Sequence, residues 1–177
     1  MDDSRLEVYS FDAQVMTLAH HHWLQAEQQR YLYRDAQGDL VIKNHLFKLH
    51  DYAPDGLGLE SFIRQVLGAR AIGAKRLLTF AAGDYSVKDE WIGYYVWPRF
   101  GFNADLDLIE RRFLPPLLRG AKTINDLLKR GGQDYWFRYG FGREMIFELD
   151  ARSNSIKTLI LYWREKQYER LTSSRNS

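Results

Sequence analysis

The 177-residue chain is 45% hydrophobic and 15% aromatic, enough for a bulky core, and its lack of cysteine excludes disulfides, thiolate zinc sites and cysteine nucleophiles. The net charge of +2 is unevenly spread: residues 1–60 hold ten acidic against five basic residues and the remainder twenty basic against thirteen acidic, which suits either an anionic partner or two mutually attracting faces. No apolar run approaches the roughly 18 residues of a membrane span, and "MDDSRLEVYS" has no signal-peptide pattern, so a cytoplasmic protein with no membrane partner is expected.

The opening "RLEVYSF" alternates loosely and predicts a first strand. Asp12 then suits an N-cap, and Val15, Met16, Ala19, Trp23 and Ala26 fall on one helical stripe, so an amphipathic helix is expected over 13–29. "YLYRDAQGDLVIKNHLFKL" reads as two strands about the turn Asp35-Ala36-Gln37-Gly38. Pro54 and Asp55 mark a loop, and Phe62, Ile63, Val66, Leu67 and Ala69 space a packed helix over 58–72 with Gly73 as its stop. "KRLLTFAA" is short, apolar and bounded by turn residues, as a buried strand is, and completes a strand–loop–helix–strand unit.

A polar loop and the aromatic block "WIGYYVWPRFGF" follow. "DLDLIERRFLPPLL" reads as helix broken at Pro115-Pro116, and "TINDLLKR" as a helix capped by Thr123 and stopped by Gly131-Gly132. "EMIFELD" reads as a strand. From Ser155 to about Leu171 the spacing of Ile156, Leu159, Ile160 and Trp163 suggests a closing helix, while the alternation in "IKTLILYW" also permits a strand. No repeat or long linker divides the chain, so one domain over 1–177 is expected.

The stretch "APDGLG" brings Gly56 and Gly58 to the start of the helix after the loop. A helix beginning there leaves backbone N–H groups without partners, its dipole favours an anion, and glycine lets a phosphate approach without meeting a Cβ. With the following "GLESFIRQVLGARAIGAKRLL" and the later "WPRFGF", the chain resembles the GNAT acyltransferase superfamily, over roughly residues 5–103. That family has a strand, an Arg/Gln-x-x-Gly-x-Gly/Ala loop and a helix whose N-terminus holds the pyrophosphate of coenzyme A, and later a Tyr-x-x-Leu-Gly-Phe segment.

The resemblance implies a GNAT-like α/β fold: a mixed, mostly antiparallel sheet flanked by helices, with residues 5–103 as an acyl-coenzyme A-binding core and 104–177 as a helical or mixed C-terminal extension. It implies acetyl-coenzyme A or another acyl-coenzyme A as cofactor, and an amine acceptor that the sequence does not identify. The amides of Asp55, Gly56, Leu57, Gly58 and Leu59 would bind the pyrophosphate, and the strand through Leu49 to His50 would pair with the pantetheine arm. His50 stands where a general base could act. The chain departs from the family at Ala53, which replaces Arg or Gln, and at Trp97, which replaces the tyrosine that protonates the leaving thiolate. Tyr94 and Tyr95 are the local candidates for that acid. These departures also suit a scaffold that has lost catalysis and serves as a binding or interaction module through an aromatic and basic C-terminal third.

Other candidates carry less. His20, His21 and His22 on a helix would point about 100° apart and could not converge on one metal, with His22 expected on the apolar face. "QDYWFRYGFGR" mixes Tyr135, Trp136, Phe137 and Tyr139 with Arg138 and Arg143, a mix that could stack bases, yet no nucleic-acid motif accompanies it and packing is the expectation. No Gly-x-Ser-x-Gly elbow places a serine nucleophile. Trp163 and Tyr168 would cover a sheet edge or form a homodimer surface.

Overall fold

The computed structural model describes residues 4–173, with the elements β1 Arg5–Phe11, β2 Gln14–His20, β3 Gln28–Arg34, β4 Leu40–Leu46, α1 Leu57–Ala71, β5 Arg76–Asp84, α2 Gly93–Arg99, α3 Leu108–Phe113, α4 Ile124–Lys129, α5 Gln133–Tyr139, β6 Phe141–Glu148 and α6 Asn154–Ser173. Short 3-10 turns at Tyr85–Val87 and Pro116–Leu118 join them. The strands lie in the order β1-β2-β3-β4-β5-β6. β1 to β4 form an antiparallel meander, and β4 pairs in parallel with β5. The fold is therefore the mixed, mostly antiparallel α/β arrangement expected from the sequence, with residues 104–177 adding β6 to the sheet beside the helices α3 to α6. Two compact units divide it between Thr79 and Phe80, within β5.

In the first unit the predicted helix over 13–29 is a strand, β2, followed by a loop. Asp12 and Ala13 form a two-residue turn that sets Phe11 opposite Gln14, and every residue of β2 then pairs with β1, six of the seven also with β3. The stripe from Val15 to Ala26 is real as a spacing, but Val15 and Thr17 are β-branched and the strand satisfies its backbone on both sides, so the sheet overrides the helical period. The β3–β4 turn is as read: Asp35 Oδ1 accepts from the amides of Gln37 (2.9 Å) and Asp39 (3.0 Å), and Gly38 has φ +80°. Burial works to raise the Asp35 pKa, but hydrogen bonds from Arg76 and from these two amides outweigh it and hold the carboxyl below its ordinary value.

α1 buries Leu59, Phe62, Val66 and Ala69, which recur at helical spacing, and Val41 and Ile42 of β4 and Leu77 of β5 are buried as well. Leu67, expected in that face, is exposed. Asn44, buried on β4, exchanges two hydrogen bonds with Gln65 (2.6 and 3.2 Å), so this polar pair enters the core satisfied.

In the second unit Phe102, Phe147, Trp136 and Tyr94 are the largest fully buried side chains. Asn103 and Ile146 form an antiparallel bridge that fastens the segment after α2 to β6. Residues 154–173 are a helix, which resolves the choice the sequence left open. The last turn of α2 matches a Schellman stop: Phe102 N–H donates to Trp97 C=O (3.1 Å), Gly101 N–H to Pro98 C=O (3.0 Å), and the Trp97 and Phe102 rings meet at 5.1 Å. Gly101 has φ +104°, and a Cβ there would overlap the Ser155 carbonyl oxygen. The "WPRFGF" segment thus has a complete account as a helix terminator.

Candidate functional site

The loop between β4 and α1 belongs to the first unit. β4 ends at Leu46, four residues short of the strand end at His50 that the sequence suggested. The chain from Lys48 to His50 pairs instead with residues 23–25: Gln25 N–H donates to Lys48 C=O (2.9 Å), Leu24 bridges Leu49, and His50 N–H donates to Trp23 C=O (2.8 Å). The backbone of Leu49 is therefore engaged with Leu24. The half-buried ring of His50 stacks on Tyr52 (4.7 Å, 14°), whose hydroxyl donates to His22 C=O (2.7 Å).

Ala53 N–H closes on His50 C=O and Leu57 N–H on Pro54 C=O, each at 3.0 Å, and the chain enters α1 through Gly56 in the left-handed region, φ +81°. The glycine at 56 is therefore required by the turn itself. Gly58 is different. Its φ is ordinary, and a Cβ would sit 3.5 Å from Leu49 and 3.8 Å from Phe47, in normal contact. No side chain caps the helix. Leu57 N–H is turned back on Pro54, and Glu60 N–H reaches Gly56 C=O (3.0 Å), while the amides of Gly58 and Leu59 between them have no acceptor among the described residues. The side chain of Leu59 is buried, so only its amide can meet a ligand. The nearest charges in sequence are acidic: Asp55 is exposed, and Glu60 is bonded to Arg64 (2.7 Å). The dipole and amides favour an anion here, and no arginine or lysine between 49 and 60 assists them.

The two tyrosines lie in the second unit and differ sharply. Tyr94 is 0% exposed, its hydroxyl donates to Phe137 C=O (2.6 Å), and its own carbonyl accepts from Trp136 Nε1 (2.9 Å), so it ties α2 to α5. Burial, followed by the charge of Asp84, pushes its pKa above the ordinary phenol value. Tyr95 is half-buried, with its ring edge-on to Phe137 (4.9 Å) and the Arg99 guanidinium over its face (5.2 Å). Of the two phenols, Tyr95 is the one a ligand can reach. Trp97, at the position of the family tyrosine, packs on Phe100 (5.8 Å) and Phe102 (5.1 Å).

The remaining candidates are placed as follows. His20 ends β2 between Glu7 (3.3 Å) and Glu27 (3.4 Å), His21 Nδ1 accepts from Trp23 N–H (3.1 Å), and His22 is exposed rather than packed on an apolar face. The helix assumed for the three histidines is absent, which is why the expected face was wrong. Trp136 is buried, and Arg143 is bound to Glu110 and to Asp105 C=O (3.0 Å) over the rings of Trp136 and Phe141, so the centre of "QDYWFRYGFGR" packs inward.

The fold and loop define a mixed α/β protein with an uncapped helix N-terminus after a glycine turn. No family model matches the chain, and no curated protein matches it. Among solved structures it is similar to the N-acetylglutamate synthase from Neisseria gonorrhoeae, complexed with coenzyme A and N-acetyl-glutamate, with 15% identity and a TM-score of 0.36. The match covers 76% of this chain and 25% of that one, so the chain spans about a quarter of that protein's length.

Proposed function

We propose that this protein binds an acyl-coenzyme A and transfers its acyl group, acetyl in the simplest case, to an amine. The observation that carries this reading is the β4–loop–α1–β5 unit, with parallel outer strands and a helix whose first turn keeps the Gly58 and Leu59 amides open. Those amides and the helix dipole would hold the pyrophosphate, with Gly56 setting the turn and the amides of Asp55 and Leu57 flanking it. The thioester, when bound, supplies an activated acyl carbon. On the chain's side, His50 is the candidate to take the proton from the attacking amine, and Tyr95 the candidate to return one to the departing thiolate. Positioning of the acceptor against the thioester would account for most of the rate.

Thermal unfolding with and without acetyl-coenzyme A tests this. At a ligand concentration 100 times Kd the stabilisation is about 2.7 kcal/mol. Gly58→Ala, whose methyl is accommodated, should keep that stabilisation. Gly58→Asp, which adds a negative charge to the first turn and so repels a bound phosphate, should lose it. Absence of any shift with acetyl-, longer acyl- and free coenzyme A would remove the reading.

A second reading, an interaction module without catalysis, is favoured by one observation. Leu108, Ile109, Phe113 and Leu117 stay 69–87% exposed within ten residues of chain beside Arg112 and Arg119. Apolar exposure on that scale is a feature of binding surfaces.

A further inference from the structure

Among the described residues of the second unit, Arg99 and Arg143 rest on aromatic rings, and of the two only Arg143 has a carboxylate partner. Arg143 lies over Trp136 and Phe141 and is bonded to the Glu110 carboxylate (3.0 Å to Oε2). Arg99 lies over the rings of Tyr95 (5.2 Å) and Tyr162 (4.8 Å), and no carboxylate or carbonyl among the described residues accepts a hydrogen bond from its guanidinium. Arg99 is half-buried, so its donors are neither fully hydrated nor matched by the protein.

The ordinary reason for an arginine in the last turn of a helix is to cap carbonyls. That reason fails here. The carbonyls of Val96, Trp97 and Pro98 already accept from the amides of Phe100, Gly101 and Phe102. The surroundings also add positive rather than negative charge. Lys166, on α6, places its ammonium 5.7 Å from the Tyr162 ring centre, and the Glu169 carboxylate is bonded to Lys166 at 2.5 Å. A guanidinium with its flat face on tyrosine rings keeps its in-plane N–H fork for a planar or tetrahedral oxyanion, which it can take with two parallel hydrogen bonds.

We propose that Arg99 is the centre of an oxyanion-binding site, framed by Tyr95 and Tyr162 and reinforced by Lys166, whose ligand is a small molecule or side chain carrying a carboxylate or a phosphate. The site goes beyond the acyl-coenzyme A reading and does not require it.

The test follows the arginine Nε–H signals of the full chain by NMR during separate titrations with acetate and with inorganic phosphate, at constant ionic strength. The Arg99 signal, assigned by its loss in Arg99→Gln, should shift saturably with at least one ion. The ion that binds tighter identifies the carboxylate or the phosphate source. Arg99→Gln should weaken binding at least about tenfold, the loss expected for a charge-assisted pair of hydrogen bonds. Lys166→Gln, a change on half-buried Lys166 of α6, should weaken it by a smaller factor. A signal that fails to saturate with either ion, or affinity unchanged in both variants, overturns the proposal. An acetyl-coenzyme A titration of Arg99→Gln separates the two readings: retained cofactor binding with lost anion binding assigns the defect to Arg99 alone.

Discussion

α1 and α4 end alike and begin differently. Each stops on a glycine in the left-handed region, Gly73 at φ +78° and Gly131 at φ +79°, with the same backbone pair. Ala74 N–H reaches Ala69 C=O and Gly73 N–H reaches Arg70 C=O, as Gly132 reaches Leu127 and Gly131 reaches Leu128. At its start α4 is fully capped: Thr123 Oγ1 accepts from Asp126 N–H, and Asp126 Oδ2 accepts from Thr123 N–H and Lys122 N–H, each at 3.1 Å. α3 has the same box from Asp107 and Glu110. α1 has none, although it is far longer than either. A long helix that packs through four buried residues needs no cap to form, so its first turn can be left to an external anion, while a six-residue helix depends on its box.

The largest stability effect should come from removing that dependence. Replacing Thr123 and Asp126 together with Ala should destabilise the fold by about 2 kcal/mol, the upper range for a cap with a reciprocal partner. Chemical denaturation measures it. A loss under about 0.5 kcal/mol would mean that α4 is held by the burial of Ile124 and Leu127 alone, and the contrast with α1 would lose its physical basis.

A smaller effect runs in the opposite direction from capping intuition. Aspartate is a favoured N-cap, yet Gly56→Asp should cost about 1 kcal/mol rather than stabilise. The caps of α3 and α4 have extended backbones, φ −71° at Asp107 and φ −127° at Thr123, whereas Gly56 sits at φ +81°. From that conformation a side chain is strained and misdirected for the third amide of the helix. A gain in stability on denaturation would show that the loop can rearrange to accept a cap, and that its openness is incidental.

The helix ends were the most legible part of the sequence, because each is a local code. Thr123, Gly73 and Gly131 announce themselves through one residue's conformational chemistry, and the structure uses all three as read. The 13–29 segment was misread because helix and strand compete there on equal local terms. The deciding contacts with β1 and β3 are made by residues outside any window around Val15. The same limit applies to function. Gly56 and Gly58 were visible, but the Pro54–Leu57 hydrogen bond that occupies one of the expected donors was not. Tyr94 and Tyr95 are neighbours of one residue type, and only the packing of α5 separates a buried tie from a reachable phenol. Arg99 showed only as the basic residue of an aromatic block that could pack in the core or face a ligand, since an unmatched guanidinium is defined by partners it lacks in three dimensions. Trp97, read as a departure from a catalytic pattern, is the apolar partner that Phe102 needs at the end of α2.

The pH dependence of the α4 box is the finest test of the contrast. Burial works to raise the Asp126 pKa, but the amides of Lys122 and Thr123, the Thr123 hydroxyl and the charge of Lys129 outweigh it and hold the carboxyl below its ordinary value. A carboxyl depressed in the folded state contributes stability that is fully present above its unfolded pKa of about 3.9 and is lost as pH falls through the lower folded value. Asp126→Asn should therefore flatten the acid limb of the stability profile below about pH 4 while leaving its slope above pH 5 unchanged. α1 has no such group in its first turn, because Glu60 is turned to Arg64 rather than to the helix amides. Glu60→Gln should leave the acid limb as it is in the parent chain. An equal flattening in both variants would mean that the acid limb reports general charge repulsion rather than the box, and the two helix starts would then be energetically alike.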